Sequence, residues 1–232
     1  QEIGATLNGS TSSDRTNYWE NIPSNYLELV LWLESDRMGF LLEALDQKRF
    51  DIQRDVVKNE RRENYENQPY GMAHILLQSK LFPNSHPYSW PTIGYMKDLD
   101  KANLSDVKNF FNQYYHPSNA SLAIAGDINK KKTINLVEKY FGSIPPGNAI
   151  NQIKQIDSQL TGNVILSIKD KISLPRVYIA WPTVPDFSLY QPELELLSII
   201  LGHGKSSRLY KKLVYEKQIA KDINVYQYSQ EI

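Results

Sequence analysis

The motif Pro145-Pro146-Gly147 divides this chain more sharply than any other feature of its sequence. Neither proline has a backbone N–H to donate, and neither suits the interior of a helix or a central strand. The polar stretch that follows, up to Gln159, has the composition of a connecting segment. On both sides of it, short runs at strand spacing alternate with longer runs at helical spacing. The expected class is α+β: two similar domains, each with an antiparallel or mixed sheet packed against helices. The boundaries read as 1–147 for the first domain, 148–160 for the linker and 161–232 for the second. Gln1-Glu2-Ile3-Gly4 reads as a helix end running into a strand, with no initiator Met and no signal peptide. Both domains are therefore expected to be truncated, the first at its start and the second at Ile232.

In the first domain, 4–9 and 15–22 read as two strands joined by the turn-forming cluster Ser10-Thr11-Ser12-Ser13-Asp14, an antiparallel hairpin. Ser24 is the expected N-cap of a helix to about Met38. A second helix begins near Gln47 and runs to about Asn67, and 72–81 resumes the pattern after Pro69. The segment 82–95 is rich in Pro and Gly and reads as a loop. Ser105 is expected to cap a helix carrying Val107, Phe110, Phe111 and Tyr114. A buried strand at 120–125 and a helix over 129–140 complete the domain. Beyond the linker, 163–168, 176–181 and 222–228 read as strands, and 191–201 and 206–217 as helices.

Charge and cysteine content narrow the function classes. Lys+Arg and Asp+Glu are both 26, so the net charge is zero, and a broad electrostatic grip on nucleic acid or an anionic membrane has no basis. The run Lys130-Lys131-Lys132 reads as a solvated helix start. The absence of cysteine excludes disulfides, a thiol nucleophile and a thiolate metal site. No stretch approaches the ~18 apolar residues of a membrane span.

On the second helix, Gln53, Val56, Val57, Glu60 and Asn64 share one face. A carboxylate in line with two valines is unusual, because burying an unpaired charge is costly, and a metal ion is one way to hold it. The same helix carries Arg61, Arg62, Glu63 and Glu66, so periodicity alone favours a solvated face over a site. His74, His86, His116 and His203 offer no pair at i, i+3 or i+4, hence no local zinc geometry. His86 and His116 each precede a proline and read as turn or surface residues, and His203 sits in a turn between Gly202 and Gly204. No Ser/His/Asp signature, nucleophile elbow or phosphate loop is present.

Four elements in order carry a resemblance. Gly4-Ala5-Thr6-Leu7-Asn8-Gly9-Ser10-Thr11 with Asp14-Arg15-Thr16-Asn17-Tyr18 is similar to the Gly-x-x-x-Asn-Ala-x-Thr…Asp-x-Thr-x-Tyr hairpin of pitrilysin/insulinase-type zinc metallopeptidases. Arg54-Asp55-Val56-Val57-Lys58-Asn59-Glu60 resembles the helix that supplies their third zinc ligand. Tyr114-Tyr115-His116-Pro117-Ser118-Asn119, leading to Gly126-Asp127, matches their Tyr-Tyr-x-Pro-x-Asn…Gly-Asp element. Gly204-Lys205-Ser206-Ser207-Arg208-Leu209-Tyr210 resembles a helix start in their second domain.

The resemblance implies a zinc endopeptidase, of bacterial type and periplasmic or otherwise exported, as the full-length parent. In that family an inverted His-x-x-Glu-His motif supplies two zinc ligands and the general base. Its place would lie upstream of Gln1, so no catalytic residue is expected within this chain. By the same resemblance Glu60 is the metal ligand and Gln53, seven residues earlier, stands where the family often has a supporting acid. Two imidazoles and a carboxylate leave one zinc position for water, whose pKa falls to about 7 and which can then attack a peptide carbonyl. Leu7, Asn8, Gly9 and Ser10 would form the edge on which a peptide substrate adds as a strand, with Gly9 in place of the usual Ala. A companion non-zinc half is implied, in the same polypeptide or on a separate subunit. The Arg and Tyr that grip substrate in that half are replaced here by Val214 and Lys221. The alternative is a metal-free scaffold or companion subunit of the same fold.

Overall fold

A computed structural model describes residues 2–151, 153, 156, 160 and 162–232. The chain opens with the expected hairpin, β1 (Thr6–Thr11) and β2 (Thr16–Asn21), antiparallel with Thr6 opposite Asn21 and Thr11 opposite Thr16. Ser12 closes the turn: its hydroxyl accepts from the backbone N–H of Asp14 and of Arg15. A single helical turn, Ser24–Tyr26, leads into α1 (Leu27–Ala44), whose N-cap is Tyr26 with no side-chain cap bond. Ser24 therefore starts the preceding turn and does not cap the helix.

Helix α2 (Gln47–Arg61) is capped by Asp46, whose Oδ1 accepts from the Arg49 N–H at 2.8 Å. It passes into a π-helical turn, Arg62–Glu66, and α3 (Ala73–Leu81) follows. A short α4 (Met96–Lys101) occupies a stretch the sequence reading left unassigned, its six residues being too few to display a period. Helix α5 (Leu104–Tyr114) is capped by Asn103, not Ser105. The Asn103 Oδ1 accepts from the N–H of Ser105 and of Asp106, and Asp106 Oδ2 accepts from the Asn103 N–H. Asn129 caps α6 (Lys130–Phe141) with a single bond, its Oδ1 accepting from the Lys132 N–H at 3.0 Å, and α6 packs on α1, where Glu28 accepts from Lys139 and Tyr140. Helices α7 (Gln191–Gly202) and α8 (Arg208–Tyr210) come last, α8 passing into a second π-helical turn, Lys211–Glu216.

The α+β class holds, with helices dominant and one small sheet among the described residues. The segments 120–125, 163–168, 176–181 and 222–228, expected as strands, enter no ladder there. Apolar alternation makes a segment suitable for a sheet, but a ladder forms only where a neighbouring backbone lies in register to exchange hydrogen bonds.

Two units cluster by contact. The first comprises Gln1–Gln78, Trp90–Gln152 and Ile165–Arg176; the second comprises Ser79–Ser89, Ile153–Val164 and Val177–Ile232. The linker read over 148–160 falls partly on residues outside the described set. In the first unit Leu31, Phe50, Ile75 and Phe111 are buried. In the second, His86 and Tyr88 are almost fully enclosed. His86 packs against Phe82 and Tyr88, its Nδ1 accepts from the Tyr88 N–H, and Tyr88 Oη accepts from the Ile232 N–H.

Candidate functional site

The faces of α2 decide what Glu60 can do. Phe50, Arg54, Val57 and Arg61 follow one another at i, i+4, i+7 and i+11, and this stripe turns inward: Phe50 and Arg61 are buried, Arg54 and Val57 half-buried. It docks on 94–102. Arg54 donates to the Ala102 carbonyl at 3.0 Å, Lys58 to Asp100 at 2.6 Å, and Arg61 to the Gly94 carbonyl.

Gln53, Val56, Glu60 and Asn64 occupy a different stripe, rotated by about 100°, and it is exposed, with Ile52 beside it. Val57 belongs to the docked side, although spacing had grouped it with Glu60. The Glu60 carboxylate has no hydrogen-bond or ion-pair partner among the described residues. Gln53 lies two turns earlier, about 10 Å along the axis, and no hydrogen bond joins the two side chains. The site thus presents a free carboxylate one turn beyond the exposed Val56, with exposed Ile52 a further turn back.

A free carboxylate suits one place in a zinc shell. The rest of such a shell has no candidates: among the described residues no group of three His, Asp or Glu could hold a metal ion. His116 and His86 are buried rather than in surface roles, and His74 and His203 are exposed. His116 Nε2 bonds the Gln113 carbonyl at 3.0 Å, and its ring packs on Gly147, where a Cβ would stand 2.1 Å from it.

The hairpin offers the second feature. Leu7, Asn8, Gly9 and Ser10 are all exposed and pair with Glu20, Trp19, Tyr18 and Asn17, so among the described residues β1 has no strand on its outer edge. The Asn8 side chain accepts from the Gly9 N–H at 2.8 Å, so the chain itself engages that donor. Gly9 has a local reason to lack a side chain. A Cβ there would stand 3.2 Å from the Tyr18 ring, and Tyr18 cannot easily yield. Its hydroxyl bonds that of Tyr115 at 2.9 Å, and the Arg37 guanidinium lies 3.4 Å from its ring centroid. Burial first, then the bond and charge of Tyr115, push the Tyr18 phenol up to about 12, with Arg37 opposing.

Two features escaped the sequence reading. Arg61 looked like one charge in a solvated run, yet it is 4% exposed. The usable signal was its place at i+4 from Val57 and i+11 from Phe50, in register with the apolar stripe. The Tyr18–Tyr115–Arg37 cluster joins residues 97 positions apart and left no local trace.

The family profile described as "Peptidase M16 inactive domain" matches residues 101–231. The chain is 35% identical over 228 residues to the zinc protease PqqE of Helicobacter pylori, covering 95% of this chain and 50% of that protein. A crystal structure of a protease from Helicobacter pylori superposes with a TM-score of 0.76 at 29% identity, covering 99% of this chain and 55% of that one. A peptidase M16 inactive domain from Pseudomonas fluorescens shares the fold, with a TM-score of 0.70 at 18% identity over 93% of this chain and 52% of its own. The chain spans about half the length of the curated relatives it matches.

Proposed function

Because this chain belongs to the peptidase M16 family, we propose that it is part of a zinc-dependent endopeptidase to which it contributes one metal ligand, Glu60, and a substrate-receiving edge, β1. The observation that carries this reading is the free Glu60 carboxylate on the open stripe of a helix whose neighbouring stripe docks on 94–102. Val56 and Ile52, one and two turns before it, are apolar and exposed, which supports a stripe that other parts of the working protein cover. The two imidazole ligands and the general base come from residues outside these 232. The chemistry that zinc would supply when bound there is an acidified water and Lewis-acid polarisation of a peptide carbonyl. This chain orients: Glu60 contributes negative charge and one donor, Gln53 offers an uncharged hydrogen-bonding group, and Leu7 to Ser10 present a backbone edge to an extended peptide.

The domain organisation of 1–147, 148–160 and 161–232 belongs to this proposal, as does a companion non-zinc half. An exported, periplasmic location is proposed for the parent; no helix among the described residues is long and apolar enough to cross a membrane. The family description as an inactive domain favours a second reading, a metal-free scaffold. Glu60 separates the two. On the enzyme reading, the gene encodes His-x-x-Glu-His upstream of Gln1, and Glu60→Gln in the parent lowers both zinc content and peptide hydrolysis by at least tenfold. Unchanged zinc content would leave only the scaffold. The 232-residue chain alone is expected to retain no stoichiometric zinc after dialysis and to cleave no peptide, by metal analysis and a peptide-release assay; one zinc per chain would overturn the missing-ligand account.

A further inference from the structure

Arg61 directly follows Glu60 yet leaves the helix on the docked side. Its Nε donates to Glu66 Oε1 at 2.9 Å, its Nη1 donates to the Gly94 carbonyl, and its guanidinium stands 5.9 Å from the Tyr95 ring centroid. A buried guanidinium is tolerated only when its donors are used, and an arginine so engaged is fixed in direction. Its position along the chain matters as much. The α-helix ends at Arg61, and the next residues pair as a π-turn, with the Asn67 N–H donating to the Arg62 carbonyl at 2.8 Å. Glu60 is therefore the last residue but one before the backbone pairing changes from α to π, inside a helix that continues to Glu66.

The chain beyond is pinned too. Tyr70 has φ +62°, its N–H donates to Asp170 Oδ2 at 3.0 Å, and its hydroxyl donates to the Leu174 carbonyl at 2.6 Å. At Gly71 a Cβ would stand 2.1 Å from the Tyr65 carbonyl oxygen, so only glycine fits.

We infer that Arg61 is a positioning residue for Glu60: held by Glu66 in the π-turn and by Gly94, it fixes the junction where α pairing gives way to π pairing and so sets the direction in which the Glu60 carboxylate leaves the helix. This inference rests on reading Glu60 as a metal ligand. Sequence spacing did not suggest it, because the polar partners of Arg61, Glu66 and Gly94, are not among the residues that spacing grouped with Glu60.

The test compares Glu60→Gln, Arg61→Met and Glu66→Gln in the zinc-bearing parent, by competition with a chromophoric zinc chelator and by peptide kinetics. Amide exchange over residues 58–67 of the 232-residue chain provides a reading independent of zinc. Arg61→Met is expected to weaken zinc binding about ten- to a hundredfold and to leave KM within about twofold. Exchange at the α-to-π junction should accelerate. Glu66→Gln should move both readings the same way by less, and it decides the matter if Arg61→Met does not fold. The inference is overturned if Glu60→Gln weakens zinc binding while Arg61→Met, or Glu66→Gln in its place, leaves it unchanged. If Glu60→Gln itself leaves zinc binding unchanged, the ligand reading fails and the inference falls with it.

Discussion

Tyr18 illustrates how much a single side chain in this protein depends on residues far away in sequence. Its hydroxyl meets Tyr115, its ring lies under Arg37, and its edge excludes a side chain at Gly9. The phenol, pushed up to about 12, gives a pH dependence of definite sign. The folded state holds this proton more tightly than the unfolded chain, whose tyrosines titrate near 10. Stability from this source is therefore complete below pH about 10 and is lost as pH rises toward about 12. Denaturant unfolding followed from pH 9 to pH 12 should show that loss, and Tyr18→Phe should remove most of it. An unaltered profile in Tyr18→Phe would mean that the cluster does not protect the phenol. Sequence spacing could not reveal this cluster, because its members come from β2, α1 and the residue after α5.

At the scale of elements, the helices are set by local signals that the sequence displays openly. Asp46, Asn103 and Asn129 each accept from the backbone N–H three residues on, and each precedes a run of helical period. The misplaced cap at Ser105 shows the limit of such reading. Asn103, Ser105 and Asp106 can all cap, and the closed reciprocal pair of Asn103 with Asp106 outweighs the lone serine. Asn103→Ala is expected to cost about 1 kcal/mol of stability, measured by urea unfolding, whereas Ser105→Ala should change it by less than about half of that. Equal losses would return the cap to Ser105.

Over the whole molecule, much apolar surface lies on segments that carry strand composition but no ladder. Ile165 is 91% exposed, Val177 81% and Ile179 79%. Exposed apolar segments of this kind recruit partners, their own copies included. The isolated chain is thus expected to bind a hydrophobic dye such as ANS and to sediment as larger species with rising concentration. A strictly monomeric chain that leaves the dye dark would show that this surface is satisfied within the 232 residues.

Some properties were legible in the residue order alone, because they are local. They include the hairpin, with its turn cluster; seven helical regions with a 3.6-residue period; the α+β class; and the run of motifs that resembles the pitrilysin/insulinase-type peptidases. Glu60 could be picked out by that resemblance, but not its setting. A helix's period produces several stripes and does not say which one a neighbour will cover. Only the packing of 94–102 against Arg54, Lys58 and Arg61 turned one stripe of α2 inward and left Glu60 facing out. The same holds for the four unladdered segments: alternation is written in one segment, whereas pairing requires two.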